Sequence, residues 1–214
     1  PVRATLGGRE RILSWMRDDL LAVDPGSGRV LDRFRWRSEE LFSVVAASPV
    51  VAGDRVLLTE CYGPGSVLLE FAEGSFREVR RDRPGARPRQ ALKAHWNTPV
   101  LHEGHLYASS GRNSGDAQLV CVDWESGAVR WSEGGLGRSS VTLVDGHLLV
   151  LGEYGDLVLA RATPEGFAEV SRARPVDPVG GRPLLAAHED QAPRHPRCRP
   201  AGRGEGRQIG RAHV

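Results

Sequence analysis

Leu20–Val30 reads LLAVDPGSGRV and Leu119–Val129 reads LVCVDWESGAV. The two stretches share the leading Leu, the Val-Asp pair, the Ser-Gly pair and the closing Val. Each is an apolar run that ends in Asp, turns through a Gly, and begins a second apolar run. That pattern predicts a β-hairpin, in which the Asp side chain accepts bonds from turn N–H groups and the Gly supplies a positive φ. Weaker copies are VLLEFAEGSFREV at Val67–Val79 and LVLARATPEGFAEV at Leu157–Val170. The turn glycines are Gly28, Gly74, Gly127 and Gly166, spaced 46, 53 and 39 residues apart.

A second hairpin recurs in the same cycle: SPVVAGDRVLL (Ser48–Leu58), TPVLHEGHLYA (Thr98–Ala108) and VTLVDGHLLV (Val141–Val150), turning at Gly53, Gly104 and Gly146. Two hairpins per period give four strands per period, which is the signature of a propeller blade. The expected fold is all-β: a β-propeller of four-stranded antiparallel blades, with about four blades present in an incomplete ring. A partial first blade is expected over Arg11–Trp36, and full blades over Ala47–Arg80, Asn97–Trp131 and Ser139–Arg172. Arg80–Lys93, RRDRPGARPRQALK, reads as a solvated arginine- and proline-rich connection between blades. Glu39–Val45 is the nearest candidate for a short helix and equally for an entering strand. An open arc leaves two apolar blade faces uncovered, so self-association of the isolated chain is expected.

Composition fits a globular chain, with 40% hydrophobic and 26% charged residues in 214. No apolar run approaches the roughly 18 residues of a membrane span. No charged-then-apolar leader follows Pro1, and without an initiator Met the start of the natural chain stays open. The formal charge of +2 is concentrated in the last 29 residues, and the remainder is nearly neutral, which gives no electrostatic case for nucleic acid. Cys61, Cys121 and Cys198 are scattered singly, which excludes a zinc ribbon or a thioredoxin-type pair and leaves Cys61 and Cys121 as buried thiols. His102-Glu103-Gly104-His105 spans a predicted turn rather than a helix, so no zinc site is expected there.

The chain is expected to divide into a propeller portion, residues 1–185, and a tail, residues 186–214. Between Ala186 and Gly206 there is no Val, Ile, Leu, Phe, Tyr or Trp, and such a segment cannot repay its ordering entropy. Lys93 is the only lysine, which marks a GC-rich gene, and an out-of-frame reading of such a gene is rich in Arg, Pro, Gly and Ala. The closing IGRAHV matches one reading frame of a common sequencing-adapter DNA. The tail is therefore expected to be non-native and without function, or else a natural disordered basic tail.

CVDWESGAVRW, with Cys121, Asp123, Gly127 and Trp131, resembles the tryptophan-docking motif of the pyrroloquinoline-quinone (PQQ)-like repeat propellers. AVDPGSGRVLD matches the same motif at Ala22, Asp24 and Gly28, with Asp32 where Trp is expected and Phe34 and Trp36 nearby as replacements. The resemblance covers about Arg11–Arg172. It implies a quinoprotein-like or WD40-like fold and an extracytoplasmic location. It also implies one of two roles. One branch of the family holds PQQ with Ca²⁺ over the axis, often under an adjacent-cysteine disulfide. The other is a binding platform, like the lipoprotein of the outer-membrane β-barrel assembly machinery. Adjacent cysteines are absent here, and no Asp/Glu/Asn cluster recurs to hold Ca²⁺.

Candidate ligand-contacting residues come from the loops at one end of the blades. His95, Trp96 and Asn97 precede an inner strand and are expected to face the axial funnel, where His and Trp offer hydrogen bonding and stacking. The alternative is that Trp96 packs between blades while His95 and Asn97 cap the strand. Glu60 and Tyr62, Arg112 and Asn113, and Glu153 and Tyr154 occupy the corresponding loop in successive blades. No nucleophile motif, phosphate loop or dinucleotide fingerprint occurs, so no catalytic residue and no metal ligand is assigned. The expected function is a non-catalytic scaffold for a protein or small ligand, without a cofactor. The alternative is a piece of a PQQ/Ca-dependent quinoprotein dehydrogenase.

Overall fold

A computed structural model describes residues 1–84 and 89–175. It contains sixteen strands in four antiparallel sheets, each a meander of four strands in chain order. Blade 1 is β1 (Val2–Leu6), β2 (Arg9–Trp15), β3 (Asp19–Val23) and β4 (Val30–Arg35). Blade 2 is β5 (Val50–Ala52), β6 (Arg55–Glu60), β7 (Gly65–Ala72) and β8 (Ser75–Arg81). Blade 3 is β9 (Val100–His102), β10 (His105–Ser110), β11 (Gln118–Asp123) and β12 (Val129–Glu133). Blade 4 is β13 (Ser140–Val144), β14 (His147–Leu151), β15 (Leu157–Arg161) and β16 (Ala168–Ala173).

Blade 1 corrects the expectation of a partial blade, because it begins at Val2 and is complete. Its first strand, VRATL, buries only Leu6 fully, and a Gly7-Gly8 turn follows it, so the hydrophobic pattern there is faint. Residues 39–45 form neither a helix nor a strand; they are a bend and turn between β4 and β5.

Period-two alternation sends the side chains of blades 2 and 3 to two different neighbours each. In β6 and β7, Val56, Leu58, Val67, Leu69 and Phe71 join Leu6, Leu13 and Leu20 of blade 1. On the opposite face, Leu57 and Leu68 join Leu106, Ala108, Val120 and Val122 of blade 3. Tyr107, Leu119 and Cys121 then meet Leu148, Val150 and Val158 of blade 4. Burial on both faces explains why β6 reads as a continuous apolar run, VLL, rather than an alternation. Blade 4 has only one covered face, and alternation reappears in β14, with Leu148 and Val150 at 0% exposure against Leu149 at 37% and Leu151 at 46%.

The duplicated sequence folds into duplicated turns. Ser27 N and Oγ donate to Asp24 Oδ1 at 2.8 and 2.7 Å, and Ser126 N and Oγ donate to Asp123 Oδ1 at the same two distances. Gly28 and Gly127 have φ of 70° and 73° and donate to the Asp24 and Asp123 carbonyls at 2.8 and 2.9 Å. The serine bonds hold both aspartate carboxyls below their ordinary pKa. Blade 2 departs from this pattern: Glu73 and Gly74, with φ of 54° and 84°, form a two-residue hairpin instead.

One position on the fourth strand of each blade pairs with the residue just before a β-bulge: Asp32 with Ala22, Arg80 with Leu68, Trp131 with Cys121 and Ser171 with Leu159. At the first three, the side chain grips the β3–β4-type turn of the next blade. Trp131 Nε1 donates to Thr163 O at 2.8 Å, and its ring lies against Tyr107 and Phe167. Arg80 Nε and Nη2 donate to Glu125 O and Trp124 O, both at 3.0 Å. Asp32 Oδ2 accepts from Phe76 N at 2.6 Å. Arg80 is thus a docking residue, not the first residue of a solvated connection. Trp131 is half-buried rather than enclosed. Phe34 and Trp36 do not replace it; they pack into the core between blades 1 and 2.

Candidate functional site

A four-stranded meander puts its first and third turns at one end of the blade. Its second turn and the connection to the next blade lie at the other. The docking contacts use the first end, called here the turn end. The second, the loop end, gathers the β2–β3, β6–β7, β10–β11 and β14–β15 loops with the connections at residues 36–49, 82–99 and 134–139. All nine candidate residues belong to the loop end.

Five of the nine form one continuous belt with residues that the sequence did not single out. Arg112 Nη1 donates to Glu40 Oε2 at 2.8 Å, and its guanidinium lies 4.7 Å from the centroid of the Tyr62 ring. Tyr62 Oη and His95 Nε2 are hydrogen-bonded at 2.8 Å, with the rings edge to face. His95 stacks on Trp96 at 4.1 Å and 7° between planes, and Arg138 lies 4.8 Å from the Trp96 centroid on the ring. Arg138 also holds Glu153 through paired side-chain bonds, and its N donates to Glu153 Oε2 at 3.0 Å. The chain of contacts runs from the blade 1–2 connection to blade 4.

Of the remaining four, Tyr154 is 44% exposed and the other three play other parts. Asn97 Nδ2 donates to Ser139 O at 2.5 Å and its Oδ1 accepts from Ser140 Oγ, so it fastens the entry to β13 of the next blade. Asn113 closes its own loop, with its N donating to Asp116 Oδ1 and its carbonyl accepting from Ala117 N at 2.9 Å. Glu60 ends β6 at 2% exposure, and its Oε1 has no hydrogen-bond partner among the described residues.

The electrostatics are those of fixed groups. Paired Arg138 bonds take Glu153 down to about 2. Burial raises Tyr62 above its ordinary value, and burial and the neighbouring Arg138 lower His95, so both are neutral at pH 7. Burial next to Glu40 pushes Glu60 up to about 7. That carboxyl is enclosed at the end of β6.

Calcium requires six to eight oxygen ligands. Glu40 and Glu153 are each committed to an arginine, and no three His, Cys, Asp or Glu side chains converge among the described residues. Cys61 and Cys121 are buried in different blades. His105 turns its Nδ1 to the Glu103 carbonyl at 2.9 Å. The tail, residues 186–214, lies outside the described residues, as does Cys198.

The sequence missed Arg17, Glu40 and Arg138, and also a cavity of about 750 Å³ beside the belt, lined by Arg35, Trp36, Arg37, Glu39, Tyr62 and Arg81 among others. A signal for two of them was available. Glu40 and Arg138 occupy the same inter-blade connection that carries His95 and Trp96, one period before it and one period after it.

The family model described as outer membrane protein assembly factor BamB matches residues 4–166. Among solved structures, BamB from Moraxella catarrhalis superposes with a TM-score of 0.55 at 15% identity, over 80% of this chain and 48% of that one. The Cps50 (Swd1) β-propeller domain of Myceliophthora thermophila gives 0.51 at 13% identity, over 77% and 56%. The quinohemoprotein alcohol dehydrogenase ADHIIG of Pseudomonas putida HK5 gives 0.45 at 20% identity, over 65% and 22%. No curated protein matches the chain. The chain spans about half the length of the BamB structure.

Proposed function

This chain belongs to the outer membrane protein assembly factor BamB family, and from that premise we propose that it is a non-catalytic, cofactor-free scaffold that binds protein at its loop end. The observation that carries the reading is the belt from Glu40 to Glu153. It ties the loops of successive blades into one preorganised surface and neutralises its own ionisable groups in doing so. Preorganised aromatic and arginine side chains suit a protein interface, because little conformational entropy remains to be lost on binding. Its working site in this reading is outside the cytoplasm, at the outer membrane, which family membership supports. No helix among the described residues is long and apolar enough to cross a membrane.

The test uses the full-length protein purified in mild detergent from its own membranes. Co-purification of outer-membrane assembly proteins, with no dye-linked alcohol or sugar oxidation after PQQ and Ca²⁺ are added, is the expected result. Dye-linked oxidation without co-purifying proteins contradicts it.

A further inference from the structure

The connection at residues 36–49 combines tight fastening with apolar exposure. Trp36 N donates to Asp18 O at 3.0 Å, Ser38 Oγ to Tyr62 O at 2.6 Å, and Glu40 N to Ser38 Oγ at 3.0 Å. Arg17 donates to the Leu41 and Ser43 carbonyls at 2.9 and 3.3 Å, and Ser48 N donates to Thr98 Oγ1 at 2.9 Å. Glu40 carries Arg112 of blade 3. Blades 1, 2 and 3 all hold this segment, yet its tip points two large apolar residues into solvent: Leu41 is 72% and Phe42 84% exposed. No other large apolar side chain among the described residues exceeds the 55% of Met16. Apolar side chains fixed in the open are the signature of an anchor awaiting a pocket.

The same segment lines the cavity, and the cavity is rich in donors. Arg35, Arg37 and Arg81 face it with Glu39 and Glu40. The Arg35 side chain has no ion pair or hydrogen bond among the described residues. Arg37 and Arg81 are each paired with a single carboxylate, Asp18 and Glu78, which leaves further guanidinium N–H groups available. Trp36, 3% exposed, has a buried Nε1 without an acceptor. The complementary chemistry is a carboxylate.

We propose that the connection at residues 36–49 is a protein-docking element: Leu41 and Phe42 enter an apolar pocket of a partner protein, and an acidic side chain of the same partner enters the cavity of Arg35, Arg37 and Arg81. This rests on the scaffold reading and names the chemistry of the partner. Rim-exposed apolar anchors supply the affinity, and the guanidinium groups set orientation and approach rate.

The test places a photo-crosslinking phenylalanine analogue, one site at a time, at positions 42, 96 and 129 of the full-length protein in its own cells, with adducts sequenced. Position 96 is elsewhere on the loop end, and position 129 is on the turn end. The expected result is an adduct from position 42 whose partner peptide carries Asp or Glu. Its yield should fall at least fivefold in Arg35→Glu and return when that partner carboxylate is changed to Lys. Phe42→Ser, with an unchanged melting temperature, should lose co-purification of the same partner. An adduct from position 96 but none from 42 overturns this proposal and leaves the scaffold reading standing. A position-42 adduct indifferent to Arg35→Glu also overturns it. Adducts only from position 129, or from none of the three, overturn both.

Discussion

The two ends of the blades solve different problems with different kinds of residue. At the turn end, three blade junctions do the same job with three chemistries. Asp32 accepts a backbone N–H, Arg80 donates to two carbonyls, and Trp131 donates to one carbonyl and packs its ring. Each contact satisfies a backbone group of the next blade's turn, so each junction is a local structural match. At the loop end no position repeats its role. Instead, one belt links residues up to 72 positions apart, as in Arg112 with Glu40. The turn end is periodic because every blade must seat on the next; the loop end is free of that demand and is therefore where function can diverge.

The largest expected effect is at the turn end. Trp131→Ala removes a half-buried ring and leaves the Thr163 carbonyl without its donor, and should destabilise by about 3 kcal/mol in denaturant melts. Arg80→Met keeps the apolar stem but orphans the Trp124 and Glu125 carbonyls, and about 2 kcal/mol is expected. Trp96→Ser, at a residue 49% exposed on the loop end, should cost clearly less than either. Equal costs at the two ends would dissolve the distinction.

A middle-sized effect is read by pH within the loop end. Glu60 has a folded pKa of about 7 against an ordinary 4.5, so the folded state resists its ionisation. Stability should therefore fall as pH rises from 4.5 to 7 and level off above. Glu60→Gln should remove that slope and raise stability at pH 8 by about 2 kcal/mol. Glu153 acts in the opposite sense: its folded pKa of about 2 means that its contribution is present above pH 4.5 and lost as pH falls toward 2. A melt profile of Glu60→Gln that still declines from pH 5 to 7 would show that Glu60 does not hold its proton. The smallest effect is Asp32→Ala, which releases one Phe76 N–H near the surface and should cost about 1 kcal/mol.

The same contrast explains what was legible in the sequence. The Asp-x-x-Ser-Gly turns were readable because their geometry demands those side chains, and so Asp24, Gly28, Asp123 and Gly127 marked the blades. Docking was readable only at Trp131. Asp32 looked like a missing Trp and Arg80 like part of a charged loop, since hydrogen-bond geometry can be met by acid, guanidinium or indole alike. Blade 1 was read short because β1 faces solvent on one side and offers a single fully buried residue. At the loop end the candidate residues were found by their loop positions. Their pairings were not, because contacts such as Arg138 with Trp96 and Glu153 join loop segments whose proximity depends on how successive blades stack.

Hydroxyl-radical footprinting of the full-length protein, free and in the detergent-extracted complex with its partners, measures directly which end binds. Reactive side chains are exposed at both ends, with Met16, Phe42, Trp96 and Tyr154 on the loop end and Val129 and Val170 toward the turn end. The account predicts that oxidation of Met16, Phe42, Trp96 and Tyr154 drops in the complex while Val129 and Val170 react as in the free protein. Protection of Val129 and Val170 with the loop-end residues unchanged would contradict it.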